Sequence, residues 1–103
     1  MRQGSFHYAT VRRRSLGGLI GYAKERLCLV VSNDRFNDTP GNEHVWVLHT
    51  RTDGGGLALA ALDHLRQADP REEETTSQEY VDDALEWVRW GHHRRPAVAA
   101  YVG

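Results

Sequence analysis

Residues 27–31, Leu-Cys-Leu-Val-Val, most restrict how this chain can fold. Five consecutive apolar residues lack the alternation of a strand with one solvated face, so both faces of such a strand must be covered. The residues that follow, from Ser32 to Asn37, have the composition of a loop. We therefore predict a central, well-protected strand that starts beside Arg26 and ends in a polar loop.

Two further strands are predicted, one before and one after this segment. Residues 5–11 (SFHYATV) and 44–50 (HVWVLHT) place alternate side chains on opposite faces and contain aromatic or β-branched residues. Between the first two strands, residues 12–22 contain three arginines and then three glycines, which indicates a basic, flexible connection. Because sequential strands with short connections usually become neighbours, we expect an antiparallel arrangement.

The second half of the chain predicts one ambiguous element and one helix. Residues 57–68 are rich in Leu and Ala, which favours a helix by propensity, but length and the preceding glycines do not exclude a strand. Thr76 and Glu79 form a capping box, and apolar residues at helical spacing follow, so a helix is expected near residues 77–90. The whole chain then forms a single, mainly β domain in which a small antiparallel sheet curls into a barrel and the C-terminal helix caps it.

Charge and cysteine content exclude several classes of protein. Thirteen Lys and Arg residues face fourteen Asp and Glu residues, and the net charge of −1 means that any nucleic-acid-binding surface must be local. Cys28 is the single cysteine, so no internal disulfide forms. No apolar run approaches the ~20 residues of a membrane span, and the N-terminal residues lack the apolar core of a secretory signal. We expect a cytoplasmic protein with no membrane partner.

Residues 26–37, RLCLVVSNDRFN, resemble the signature of the MazF/PemK-type toxins, the mRNA interferases of bacterial toxin-antitoxin pairs. Residues 45–50, VWVLHT, are similar to the next strand of that family, which ends in a threonine. More weakly, residues 57–72 resemble the family strand that carries an acidic residue. The connection 51–56 is shorter than in the family, where a longer loop helps to hold RNA.

This resemblance implies a MazF/CcdB-like, SH3-like barrel and an activity. Such a protein would be a sequence-selective endoribonuclease, active as a homodimer without metal or cofactor. It would cleave single-stranded mRNA to a 2′,3′-cyclic phosphate and a 5′-OH end, and a cognate antitoxin protein would be its partner. Three tryptophans, Trp46, Trp87 and Trp90, exceed what a small core hides, so at least one is expected at the interface with a second copy or the antitoxin.

Cleavage without metal requires that the 2′-OH loses a proton, that the 5′-oxygen gains one, and that the charge on phosphorus is stabilised. The resemblance assigns catalysis to Arg26 and Thr50, and a guanidinium is well suited to grip a phosphate. Arginine has too high a pKa for a good general base, so His7 or Asp63 is expected to move the proton. The expected RNA contacts are Arg12, Arg13, Arg14 and Arg51.

Two alternatives from other classes stay open. The chain could be a catalytically inactive barrel that acts as a protein-binding module for an antitoxin or a topoisomerase subunit. It could also have an unrelated fold, if residues 57–68 form a helix. The residues also have ordinary structural interpretations: Arg26 as a solvated strand end, and Ser32, Asn33, Asp34 and Asn37 as loop residues that bond to nearby backbone.

Overall fold

The computed structural model of the chain describes residues 1–14, 21–53, 56–68 and 74–90. Within these ranges the chain is mainly β, with an antiparallel sheet and one long C-terminal helix. The elements in chain order are β1 (Ser5–Arg14), β2 (Gly21–Val30), α1 (Asp34–Asn37), β3 (His44–Asp53), β4 (Gly56–Arg66), β5 (Glu74–Thr75) and α2 (Gln78–Trp90). Neither helix in these ranges has the length and apolarity needed to cross a membrane.

The expectation of a barrel is wrong, because the sheet is open. Its strand order is β4-β3-β2-β1-β5, so β4 and β5 lie at opposite edges and are not paired with each other. Closure would require a full-length strand at each edge, but β5 has only two residues, which pair with Ser5 and Phe6 of β1. Helix α2 covers part of one face instead, and its Ala84 lies in the core.

The prediction of a central strand at residues 27–31 is confirmed. Strand β2 lies in the middle of the sheet, between β1 and β3. Cys28, Leu29 and Val30 are completely buried. Their side chains alternate between two clusters, one on each face of the sheet, and this is why the sequence has no polar position here.

Each face of the sheet has its own core. One cluster, on the side of α2, consists of Phe6, Leu27, Leu29, Val31, Leu48, Leu59 and Ala84. The other cluster consists of Ala9, Cys28, Val30, Val45, Val47 and Leu65, with Met1 packed against it.

The ambiguous segment 57–68 is largely strand β4, which pairs with β3 along its length. An irregularity in this pairing, where His49 faces Ala61 but Thr50 faces Leu59, places one extra residue in β4. The extra residue shifts the alternation of side chains, so Leu59 and Leu65 lie in different core clusters although both are odd-numbered. Pairing with β3 therefore outweighs the helical propensity of Leu and Ala.

The end of β1, the start of β2 and the start of α2 differ from the sequence-based expectation. Residues 12–14 continue β1 and pair with residues 21–23 of β2, so they belong to a hairpin arm and not to a loop. Helix α2 is capped by Ser77, whose Oγ accepts a hydrogen bond from the backbone N–H of Tyr80 at 3.2 Å. Thr76, predicted as the cap, instead donates its backbone N–H to the carbonyl of Gly4 at 2.8 Å.

Candidate functional site

Two β-hairpins that share only a short stretch of pairing define the site. Strands β2 and β3 pair over three residues each, from Cys28 opposite His49 to Val30 opposite Val47. In the described residues, β2 pairs with β1 well beyond Cys28, and β3 pairs with β4 beyond His49. Each hairpin therefore extends past the shared pairing as a separate arm, and the space between the arms is open.

A cavity of about 550 Å³ lies between these arms, and we refer to it as the interhairpin cleft. All four long strands contribute to its walls. Its lining residues are Tyr8, Glu25, Arg26, Leu27, Thr50, Arg51, Thr52 and Leu57.

The structure brings Arg26 and Thr50 together across the cleft. One guanidinium N–H of Arg26 donates a hydrogen bond to the backbone carbonyl of Thr50 at 2.9 Å. This bond links β2 to β3 just where their strand pairing has stopped, so it fixes the guanidinium at the cleft wall. Thr50 is only 2% exposed, so its side chain is hardly accessible to a ligand. It contributes to the site mainly through its backbone carbonyl, which binds Arg26.

Among the residues that the structure describes, three charged side chains line the cleft. Arg26 and Arg51 supply two permanent cations, and Arg51 is exposed. Glu25, which is also exposed, supplies one carboxylate. Tyr8 and Thr52 add hydroxyl groups to the lining. The two guanidinium groups suit an anionic ligand, and the carboxylate can accept a proton from it.

Sequence reasoning missed Glu25. On a regular strand Glu25 and Arg26 project to opposite faces, so their adjacency in sequence argues against a shared site. Both line the cleft because the cleft opens at the inner edge of β2, where β3 no longer pairs with it. The available signal was the charge pair Glu25-Arg26 directly before an apolar run.

The two residues expected to move a proton do not line the cleft. His7 is buried, and its Nε2 is 2.8 Å from the hydroxyl of Ser5. The carboxylate of Asp63 accepts a hydrogen bond from the backbone N–H of His64 at 2.8 Å and also lies 3.4 Å from Nδ1 of that histidine. Strands β2 and β3 lie between these two residues in the sheet order, since His7 is on β1 and Asp63 is on β4.

Cys28 is not a nucleophile in this structure. Its side chain is completely buried, and burial raises the pKa of its thiol from the ordinary 9.0 to about 12. The negative charge of Asp63 contributes to this rise and the positive charge of Arg26 opposes it, both less strongly than burial. The thiol therefore stays protonated at neutral pH.

The other expected RNA contacts divide into two groups. Arg51 lines the cleft. The backbone of Arg12, Arg13 and Arg14 forms the end of β1 in the hairpin arm beside the cleft, and the positions of their side chains lie outside the described part of the structure.

The polar loop after β2 is scaffold, as its composition indicated. The buried side chain of Asn37 donates to the carbonyls of Met1 at 3.0 Å and Ser32 at 2.9 Å. The side chain of Asn33 caps α1 by accepting from the N–H of Phe36 at 2.8 Å. These contacts hold the loop to the N-terminal segment, at the opposite end of β2 from the cleft.

In the described ranges no group of three or more His, Cys, Asp or Glu side chains is arranged to hold a metal ion. Comparison with known protein families, with curated proteins and with solved structures finds no match for this chain.

Proposed function

We propose that this chain is a metal-independent endoribonuclease of the MazF/PemK type, which cleaves single-stranded mRNA and leaves a 2′,3′-cyclic phosphate and a 5′-OH end. The observation that carries this proposal is the interhairpin cleft, where Arg26, Arg51 and Glu25 line one open cavity of about 550 Å³. In an in-line attack of a 2′-oxygen on phosphorus, two cations can stabilise the charge on phosphorus and one carboxylate can accept the 2′-OH proton.

Arg26 stabilises the charge that develops on phosphorus. The carbonyl of Thr50 accepts a hydrogen bond from one guanidinium N–H of Arg26, and this bond orients the remaining N–H groups before any ligand binds. A donor that is already oriented loses little free energy to reorganisation in the transition state. In this proposal Thr50 is a positioning residue for Arg26, and Arg51 binds the neighbouring phosphate of the RNA strand.

Glu25 accepts the proton of the 2′-OH, the role that His7 and Asp63 cannot perform from outside the cleft. The 2′-oxygen then forms a bond to phosphorus as the bond from phosphorus to the 5′-oxygen breaks. The leaving 5′-oxygen takes a proton from a water molecule in the open cleft, and the hydroxide that remains takes the proton held by Glu25. The products are a cyclic phosphate and a free 5′-OH, and no metal or cofactor takes part.

The biological setting is part of the same proposal. The protein acts in the cytoplasm as a homodimer, selects its cleavage sites by the bases around them, and is held inactive by a cognate antitoxin. Trp90 on α2 is more than half exposed, so its side chain is available to such an interface.

Incubation of the protein with a long mixed-sequence RNA in EDTA, followed by end-group analysis, tests the proposal. We expect fragments with cyclic phosphate and 5′-OH ends. Arg26→Ala should lower the cleavage rate by a factor on the order of a hundred or more, and Arg26→Lys should restore little, because an ammonium does not form the planar fork of a guanidinium. Arg35→Ala is the matched control, since Arg35 is an exposed arginine on α1 outside the cleft.

Absence of cleavage by the wild-type protein, or equal rates for wild type and Arg26→Ala, would contradict the proposal. The second candidate would then take its place, namely a catalytically inactive module that binds an antitoxin or a topoisomerase subunit. The near-complete burial of Thr50 favours this candidate, because a buried threonine side chain offers little to a substrate.

A further inference from the structure

A cluster of aromatic rings lies on β3 and β4, at the end of the hairpin far from the cleft. Trp46 pairs with His64 and His44 pairs with Arg66 in the strand register, so these four side chains project from the same face. The ring centroids of Trp46 and His64 are 6.1 Å apart, and those of His44 and His64 are 5.3 Å apart. We call these four residues the aromatic platform.

The platform is exposed although it continues a buried row. Leu48, two residues from Trp46 on the same face, is completely buried in the cluster that includes Ala84 of α2. Trp46 is 46% exposed and the side chain of His64 is 61% exposed. A large indole left half in water, with the ring of His64 packed against it edge-on, is a surface available for a ligand.

The chemistry of the platform selects one kind of ligand. We infer that it stacks a base of single-stranded RNA, and this inference rests on the proposed function. An indole and two imidazoles offer flat π-faces, which stack on any base. The guanidinium of Arg66, beside His44 in the register, adds a positive charge for the phosphate of the same nucleotide. An apolar surface of a protein partner would leave the charge of Arg66 without a counter-charge.

One acidic group stands beside the platform. The carboxylate of Asp63 is 3.4 Å from Nδ1 of His64, and this contact orients the imidazole at the edge of the indole. The carboxylate projects from the opposite face of β4, because Asp63 is the neighbour of His64 in the strand. The RNA phosphate is therefore met by Arg66 on the platform face.

The platform and the cleft share strand β3. Trp46 precedes Thr50 by four residues in this strand, which corresponds to a separation of about 13 Å along it. An RNA chain a few nucleotides long spans this distance. The platform thus binds a base away from the cleaved bond and contributes affinity and not chemistry.

Binding of a 2′-O-methyl oligonucleotide of mixed sequence tests the inference, because such a strand lacks the attacking 2′-OH. Its affinity is measured by fluorescence anisotropy with a labelled strand. Trp46→Ala should weaken binding by about 5- to 150-fold, the loss expected for one base–aromatic stack. Trp46→Phe should recover most of the affinity, since it keeps an aromatic face. Phe36→Ala is the matched control: Phe36 is an aromatic residue that is 43% exposed but lies on α1, outside the platform and the cleft.

Each outcome decides between the two proposals. Equal affinity of wild type and Trp46→Ala, an equal loss in Phe36→Ala, or no binding by wild type at millimolar concentration overturns the platform. So does a Trp46→Ala variant that loses self-association but keeps its RNA affinity, which would mark a protein interface. If wild type binds the methylated strand through Trp46 but cuts no unmodified RNA, the platform stands and the nuclease proposal fails.

Discussion

Because the thiol of Cys28 is buried, the stability of the fold should decrease as the pH rises into the alkaline range. In the unfolded chain the pKa of this thiol is near its ordinary 9.0, whereas burial in the centre of β2 raises it to about 12. Between these two values the unfolded state has lost a proton that the folded state still holds. Raising the pH therefore favours unfolding, and the contribution of the protonated thiol is fully present below about pH 9 and is lost progressively towards pH 12.

The expected size follows from these values. At pH 10 the unfolded thiol is one pH unit above its pKa, and each unit corresponds to about 1.4 kcal/mol. The folded thiol, with a pKa of about 12, is still protonated at that pH. We therefore expect the wild-type protein to lose about 1.4 kcal/mol of unfolding free energy between pH 8 and pH 10 through Cys28 alone.

Urea unfolding of the wild type and of Cys28→Ala at the two pH values measures this loss. Other groups also titrate in this range, but they do so in both proteins and cancel in the comparison. The cavity that the substitution leaves lowers stability at both pH values, and it cancels in the same way. The difference in unfolding free energy between the two proteins should therefore shrink by about 1.4 kcal/mol at pH 10. A constant difference would show that the thiol is not desolvated as the structure has it.

Three further predictions concern the fold. Gly4→Ala should destabilise the protein by about 2 kcal/mol or more, since Gly4 has a φ of +85° and a Cβ there would lie 3.0 Å from Val81. Gly41→Ala, with the same φ but no atom within 4 Å, should cost only about 1 kcal/mol in the same denaturation assay. Ser77→Ala should cost about 1 kcal/mol of stability through loss of the helix cap, and Ser77→Asp should recover it, whereas no recovery would contradict the capping role. Hydrogen exchange should be slowest at Leu29, and exchange there as fast as at the strand ends would contradict the central position of β2.

Several features could be predicted from the sequence because their causes are local. Continuous apolarity at residues 27–31 requires a strand that is covered on both sides, and the structure has this strand in the centre of the sheet. The apolar stripe near residues 77–90 requires a helix with one buried face, which α2 has. The loop after β2 has side chains that bond to nearby backbone, and they do so in the structure.

Other features depended on which strands meet. Residues 57–68 have helical propensity, and only the backbone partners supplied by β3 make them a strand. The described sheet is open and not a barrel, because β5, at the edge opposite β4, has only two residues.

The candidate site divides in the same way. Sequence and resemblance indicated Arg26 and Thr50, and the structure places both on the interhairpin cleft. His7 and Asp63 do not line this cleft, whereas Glu25 does. A sequence determines which face of its own strand a side chain occupies, but a cleft exists only where two strands stop pairing. That event is set by the relative geometry of two hairpins, so tertiary structure alone decided which charged groups share the site.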